Sequence, residues 1–215
     1  MLTKRRKYTL FLVFTVLLVL FISHIFDNTP FETELIDIHI DEKHFRIPKN
    51  YLRSWSKNAN ASGYKSATIV MLLPDFEPRT KENIHLFDTK EKRRLRILVS
   101  NSKSVSPPVF DGNGNFVYGR QIFKPPFVKQ GDLLFVGSDD SRDFFLTPDK
   151  KYFVRCMRLT STLPFPSCNA NFKTLGGGVT IALHFNSERS QSFPVIVKQV
   201  EEFLIKHEVK QEIEQ

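Results

Sequence analysis

Residues 179–204 read VTIALHF, NSERSQS and FPVIVKQVEEFL, and the change of period inside this stretch decides the fold. Residues 179–185 follow the breaker Gly176-Gly177-Gly178 and form a short apolar run rich in strand formers, which predicts a β-strand. From Phe193 the spacing changes. Phe193, Ile196, Val197, Val200, Phe203 and Leu204 fall three and four apart, as on one face of a helix. Lys198, Gln199, Glu201, Glu202 and Lys206 fall on the other face. Pro194 suits a first helical turn, with Ser190 or Ser192 as cap. An amphipathic helix following strands predicts an α+β domain in which the helix covers a sheet.

Further strands are expected upstream. Residues 34–40, ELIDIHI, place Ile36, Ile38 and Ile40 on one face with Leu35 out of phase. Residues 44–47 can pair back with them across Asp41-Glu42-Lys43, ending at Pro48. Residues 66–73, SATIVMLL, form a continuous apolar run that suits a buried strand. In residues 94–99, Leu95, Ile97 and Val99 alternate with Arg94, Arg96 and Leu98. Residues 78–92 between these two runs suggest a loop with a helical turn. Asp111-Gly112-Asn113-Gly114-Asn115, flanked by Phe110 and Phe116, suggests a hairpin tip. Residues 133–136 and 152–157 complete a largely antiparallel sheet.

The N-terminus has a different character. Residues 8–26, YTLFLVFTVLLVLFISHIF, carry no Asp, Glu, Lys or Arg. As a helix they extend about 28 Å, against a hydrocarbon core of roughly 30 Å. Lys4, Arg5, Arg6 and Lys7 precede the segment, and no basic residue follows until Lys43. The positive-inside rule then places the N-terminus in the cytoplasm and the rest outside it. A cleaved signal peptide is the rival reading, but the apolar run is long for one and no small-residue cleavage site follows. The expected organisation is a basic tail at 1–7, a transmembrane signal-anchor at 8–26 and a tether at 27–33. An extracytoplasmic α+β domain at 34–208 and a fraying tail at 209–215 complete it.

With 41% hydrophobic residues and 21 phenylalanines, the domain has ample material for a core, so disorder is not expected. Four of the 31 basic residues lie ahead of the anchor, leaving 27 against 23 acidic. So small an excess does not suggest a nucleic-acid partner. The densest basic run beyond the anchor, Lys90-Glu91-Lys92-Arg93-Arg94-Leu95-Arg96, suits a solvated turn leading into a strand. Its sharper reading is contact with anionic headgroups or an acidic partner.

Cys156 and Cys168 are the two cysteines. Beyond an anchor they would lie in an oxidising space, where an even count favours a disulfide. It would close a loop of about 13 residues, for about 3 kcal/mol by chain entropy. Free structural thiols and a nucleophilic cysteine are the other readings, the last without a signature.

No G-x-S-x-G, H-E-x-x-H or P-loop pattern occurs. Asp111, Asn113 and Asn115 imitate the start of an EF-hand, but Phe116 and Ile122 stand where the glycine and the bidentate glutamate are needed. Asp139-Asp140-Ser141-Arg142-Asp143 suggests an exposed loop before a cation site. Asn60-Ala61-Ser62 is formally a glycosylation sequon. His24, His39, His44, His85, His184 and His207 are scattered. Neither catalysis, a metal nor a cofactor is expected from these residues.

The anchor, the run His44-Phe45-Arg46-Ile47-Pro48-Lys49-Asn50-Tyr51-Leu52, and Tyr152-Phe153-Val154-Arg155-Cys156 followed by Pro164-Phe165-Pro166-Ser167-Cys168 form a set with the final strand–helix unit. Together they resemble Gram-negative membrane-anchored periplasmic proteins, including type VI secretion immunity-like proteins. That resemblance implies a protein partner, a toxin that is bound and occluded without catalysis, and it transfers no site residues. Two alternatives stay open: a structural component of an envelope assembly, and an envelope hydrolase with a spatially assembled His/Asp site.

Overall fold

The computed structural model describes residues 31–57, 64–87, 92–101, 108–158, 167–173 and 179–209. The expected anchor at 8–26, its flanking Lys4, Arg5, Arg6 and Lys7, the sequon and the triple glycine lie outside the described residues. Among the described residues no helix is long and apolar enough to cross a membrane.

Nine strands form one antiparallel sheet. In chain order these are β3 (Leu52–Lys57), β4 (Tyr64–Leu72), β5 (Arg94–Ser100), β9 (Val128–Gln130), β10 (Leu133–Ser138), β11 (Arg142–Leu146), β12 (Phe153–Met157), β13 (Ser167–Lys173) and β14 (Thr180–Asn186). Across the sheet the order is β3-β4-β5-β14-β13-β12-β11-β10-β9. The last strand in the chain therefore inserts between β5 and β13.

Successive side chains point to opposite faces of a strand, so one in-register row reports one face. Ile69, Ile97, Leu183, Ala170, Val154 and Phe145 lie opposite one another across six strands. All six are buried. This apolar face is covered by the helix α1 (Phe193–His207) and by a hairpin of β1 (Leu35–Ile40) and β2 (Lys43–Pro48). The hairpin turns at Asp41, in the left-handed region at φ 52°, and buries Ile38, Ile40, Phe45 and Ile47.

The helix buries the six residues of the predicted stripe, Phe193, Ile196, Val197, Val200, Phe203 and Leu204. Its first turns hold Val195, Ile196 and Val197, which are poor helix formers. Burial of a large apolar side chain is worth about 1.5–3 kcal/mol, well above such propensity differences. Docking therefore fixes this helix more than propensity does. Ser192 occupies the cap position, but its side chain makes no capping bond. The side-chain acceptor lies earlier: Asn186 Oδ1 accepts from the Glu188 amide at 2.9 Å and caps a 3-10 turn, Ser187–Ser192.

The chain stays attached past the helix, through the last residue of the expected domain and the first of the expected tail. Glu208 forms an antiparallel bridge with Phe45, and the Val209 amide donates to the His44 carbonyl at 2.8 Å. Lys43 Nζ meets Glu208 Oε1 at 2.5 Å. β1 covers only one edge of β2, and the unpaired groups on the other edge capture the chain as it leaves the helix. Residues 210–215 lie outside the described residues.

On the opposite face sits a small sheet of β6 (Val109–Phe110), β7 (Phe116–Tyr118) and β8 (Gln121–Phe123). The predicted hairpin tip joins β6 to β7. Asp111 Oδ1 accepts from the Asn113 and Asn115 amides, both at 2.9 Å, and Oδ2 accepts from Asn115 Nδ2 at 2.8 Å. The carboxylate that imitated a calcium ligand thus closes the turn. Phe110, Phe116 and Phe123 form one row across this sheet. With Phe144, Phe153 and Leu146 they make a second, aromatic core.

Gly137 lets this small sheet approach. It sits at an irregularity in the β10–β11 register, with φ +152°. A Cβ there would lie 2.4 Å from Phe123 Cδ1. Gly137→Ala is therefore expected to displace the Phe123 ring and destabilise the domain by about 1–3 kcal/mol, read as a lower denaturant midpoint. An unchanged midpoint would mean that the ring does not rest on this strand.

Candidate functional site

The row on the other face of the sheet is polar in the middle. Val70, Arg96, His184, Asn169, Arg155 and Phe144 lie opposite one another on β4, β5, β14, β13, β12 and β11. Val70 and Phe144 are buried, Arg96, Asn169 and Arg155 half-buried, and His184 exposed. The adjacent row, Leu98, Ala182 and Asn171, ends on an exposed asparagine. Among the described residues neither α1 nor the small sheet spans the middle of this row, which forms a trough.

Each end of the trough has a wall. On the β12 side stands the small sheet, where Arg155 Nη1 donates to Tyr118 Oη at 2.5 Å and the guanidinium lies 5.6 Å from the ring centre. On the β4 side is a cavity of about 480 Å³, lined by Arg53, Arg79 and Arg94 with Val70, Ile84 and Phe87. Arg79 donates there from Nε to the Asn50 carbonyl at 3.2 Å and from Nη2 to the Leu52 carbonyl. Its guanidinium is thus held by backbone carbonyls. Burial, and then the charge of Arg53, lower its pKa.

The electrostatic character of the trough is uniform. The Nε of Arg96 and the Oδ1 of Asn169 are shut off from solvent without a hydrogen-bond partner among the described residues. His184 is held below its ordinary 6.5, first by the burial of its flanks and then by the charges of Arg96, Arg155 and Arg94. Part of the ring reaches solvent, so neighbouring charge matters alongside burial. A lowered histidine pKa means that the unfolded chain takes up the proton first as pH falls below about 6.5. The stability held by neutral His184 is then lost progressively as pH falls through the folded value. Arg96→Gln is expected to raise the His184 pKa toward 6.5 in an NMR titration. A pKa that does not move would show that Arg96 does not act on the ring.

The basic run leads into β5 as expected. Arg94 and Arg96 lie on the strand, half-buried and facing the trough. Lys92 is exposed and pairs with Glu188 at 2.7 Å. Lys90 and Glu91 lie outside the described residues.

Cys156 and Cys168 form a disulfide with Cα atoms 4.0 Å apart. They are directly opposed on β12 and β13, next to the Arg155–Asn169 pair. The bridge lies on the buried face, and through the two backbones it fixes the register of the two trough residues behind it.

The remaining candidates are placed apart from the trough. Asp139, in the predicted acidic loop, binds Arg142 at 2.6 and 2.9 Å. Those bonds, with the Ser141 and Arg142 amides, lower its pKa to about 2. Asp143 is the second residue of β11 and accepts from Arg158 at 2.8 Å and Ser138 at 2.7 Å. These carboxylates are engaged by their own neighbours. His39 and His44 stack on the β1–β2 hairpin, His85 borders the cavity, and His207 contacts the Phe203 carbonyl at 2.8 Å. His24 lies outside the described residues. The trough itself escaped sequence reading because its members come from four strands separated by up to 88 positions, from Arg96 to His184. Only the alternation around Arg94 and Arg96 signalled a polar face.

No family model matches the chain, and no curated relative matches it. Among solved structures, the fold is similar to that of Smlt3025, an immunity protein of the Stenotrophomonas maltophilia type IV secretion system. The TM-score is 0.56 at 14% identity, over 84% of this chain and 95% of that one. At 14% identity the similarity shows a shared fold, and the neighbour belongs to a type IV rather than a type VI system.

Proposed function

We propose that this chain is an immunity-type binding protein, anchored in a membrane by residues 8–26, with its α+β domain in the periplasm. It acts by occupying a secreted protein rather than by catalysis. The observation that carries this reading is the trough, uncovered among the described residues, on a sheet whose fold is shared with a secretion immunity protein. A domain that buries the middle of one sheet face and, among the described residues, leaves a charged strip of the other uncovered has a surface for a partner. The cysteine pair and the Lys4, Arg5, Arg6 and Lys7 cluster support an extracytoplasmic domain with a cytoplasmic N-terminus.

Crosslinking in native membranes followed by purification is expected to recover one protein partner in about 1:1 ratio, which a binding role at saturation requires. Recovery of no stoichiometric partner would contradict the reading.

A second reading, a structural component of an envelope assembly, is favoured by one observation. Val109, Val117 and Ile122 form a row on the outer side of the small sheet, and Val109 and Ile122 are 52% and 59% exposed. Replacing residues 1–26 by a cleavable signal separates the two readings. Immunity-type binding is expected to survive this change, and assembly is not.

A further inference from the structure

We infer that the trough receives an acidic segment of the partner protein, with carboxylates set against Arg96 and Arg155 and a backbone amide against Asn169. This rests on the binding role proposed above and names the chemistry of the partner.

Three observations carry it. First, the strip has one sign of charge. Arg96 makes no ion pair among the described residues, and Arg155 bonds a neutral phenol. The charges acting on His184, which stands between them, are those of arginines. A protonated guanidinium on a half-buried sheet face gains most from a carboxylate, because the desolvation it has already undergone weakens competition from water. Second, the row mixes two kinds of polar group. The half-buried Arg96 and Arg155 carry guanidinium N–H donors, and the half-buried Asn169 between them carries an amide that both donates and accepts. A simple anion satisfies only the first, whereas a peptide carries both a carboxylate and N–H groups. Third, the row is long. Arg96 and Arg155 lie three strand spacings apart, about 14 Å. That exceeds a single carboxylate and matches acidic side chains four residues apart in an extended chain, which lie on one side about 13 Å from each other.

The sources of negative charge separate experimentally. The full-length protein in a non-ionic detergent can be titrated with hexaglutamate, with hexaglutamine as control, while the ring signals of His184 are followed by NMR. A parallel arm uses vesicles of phosphatidylglycerol. Hexaglutamate is expected to shift the His184 signals and raise the pKa of the ring, since a carboxylate beside it favours the charged form. Binding is expected to weaken at higher salt, and by about tenfold in Arg96→Gln. Asn169→Asp, which adds a negative charge, is expected to abolish it, whereas Arg96→Lys keeps part of it. Unaltered thermal melting of each variant guards against misfolding, and the Arg96→Lys and Arg96→Gln pair holds the test if Asn169→Asp fails to fold.

Absence of any His184 perturbation by hexaglutamate at low salt would overturn the inference. So would equal binding of hexaglutamine, or binding to the vesicles alone. None of these results touches the binding role itself, which stands or falls on recovery of a stoichiometric partner.

Discussion

Phe144→Ala is expected to cost about 3–5 kcal/mol, the range for deleting a buried aromatic ring. Phe144 is 0% exposed and faces the small sheet. Its ring centre lies 5.5 Å from Tyr118, 5.2 Å from Phe123 and 5.9 Å from Phe153. Phe123 and Tyr118 belong to the small sheet, whereas Phe153 belongs to β12, so the ring joins two sheets that share no backbone pairing. A three-stranded sheet of two- and three-residue strands has little stability of its own. Removing Phe144 is therefore expected to release it locally as well as lower global stability. Urea unfolding reads the global term through the midpoint, and hydrogen exchange at residues 116–123 reads the local one. The consequence reaches the trough, because Tyr118 holds Arg155. A loss below about 1 kcal/mol would mean that the small sheet is held by other contacts.

The double variant Cys156→Ala, Cys168→Ala is expected to lose about 3 kcal/mol. The sulfurs join residues 12 positions apart, a loop whose closure the unfolded chain otherwise opposes. Cys168 is 0% and Cys156 5% exposed, so alanine avoids burying an unpaired hydroxyl. Reduction of the unaltered protein is expected to give a similar loss without changing a side chain. The effect should extend to binding. With the bridge gone, the β12–β13 register that sets Arg155 against Asn169 depends on three residue pairs alone. Equal stability before and after reduction would mean that the thiols are unpaired in solution.

Much of this fold is legible in the sequence, for physical reasons that differ by element. The helix is legible because its six buried residues are all large and apolar against charged neighbours. β4 and β5 are legible from their apolar residues, continuous in one, and in the other alternating with arginine at Leu95 and Ile97 before Leu98 interrupts the pattern. The disulfide follows from the even cysteine count, read with the compartment that the apolar N-terminal segment led one to expect.

β13 is not legible. SCNANFK buries only Cys168, Ala170 and Phe172, and the two smaller side chains give no hydrophobic signal. β11 is hidden by its charged start, since Arg142 and Asp143 read as part of an acidic loop until the register with β12 places them on a strand. The capture of Glu208 and Val209 depends on a free edge of β2, more than 160 positions away in the chain. The trough is the extreme case. Each member is an ordinary strand residue, and only the insertion of β14 between β5 and β13 sets Arg96 beside His184 and His184 beside Asn169.

The most direct test of the trough as the partner-binding surface is site-specific photocrosslinking in native membranes from two positions. Asn171 lies exposed on the trough face. Val195, 53% exposed, lies on the outer side of α1. A photoreactive residue at 171 is expected to capture a single partner protein, to lose most of that capture in Arg96→Gln, and to leave position 195 unlabelled. Capture from position 195 with none from 171, or capture at 171 that ignores the charge of Arg96, would place the partner on another surface.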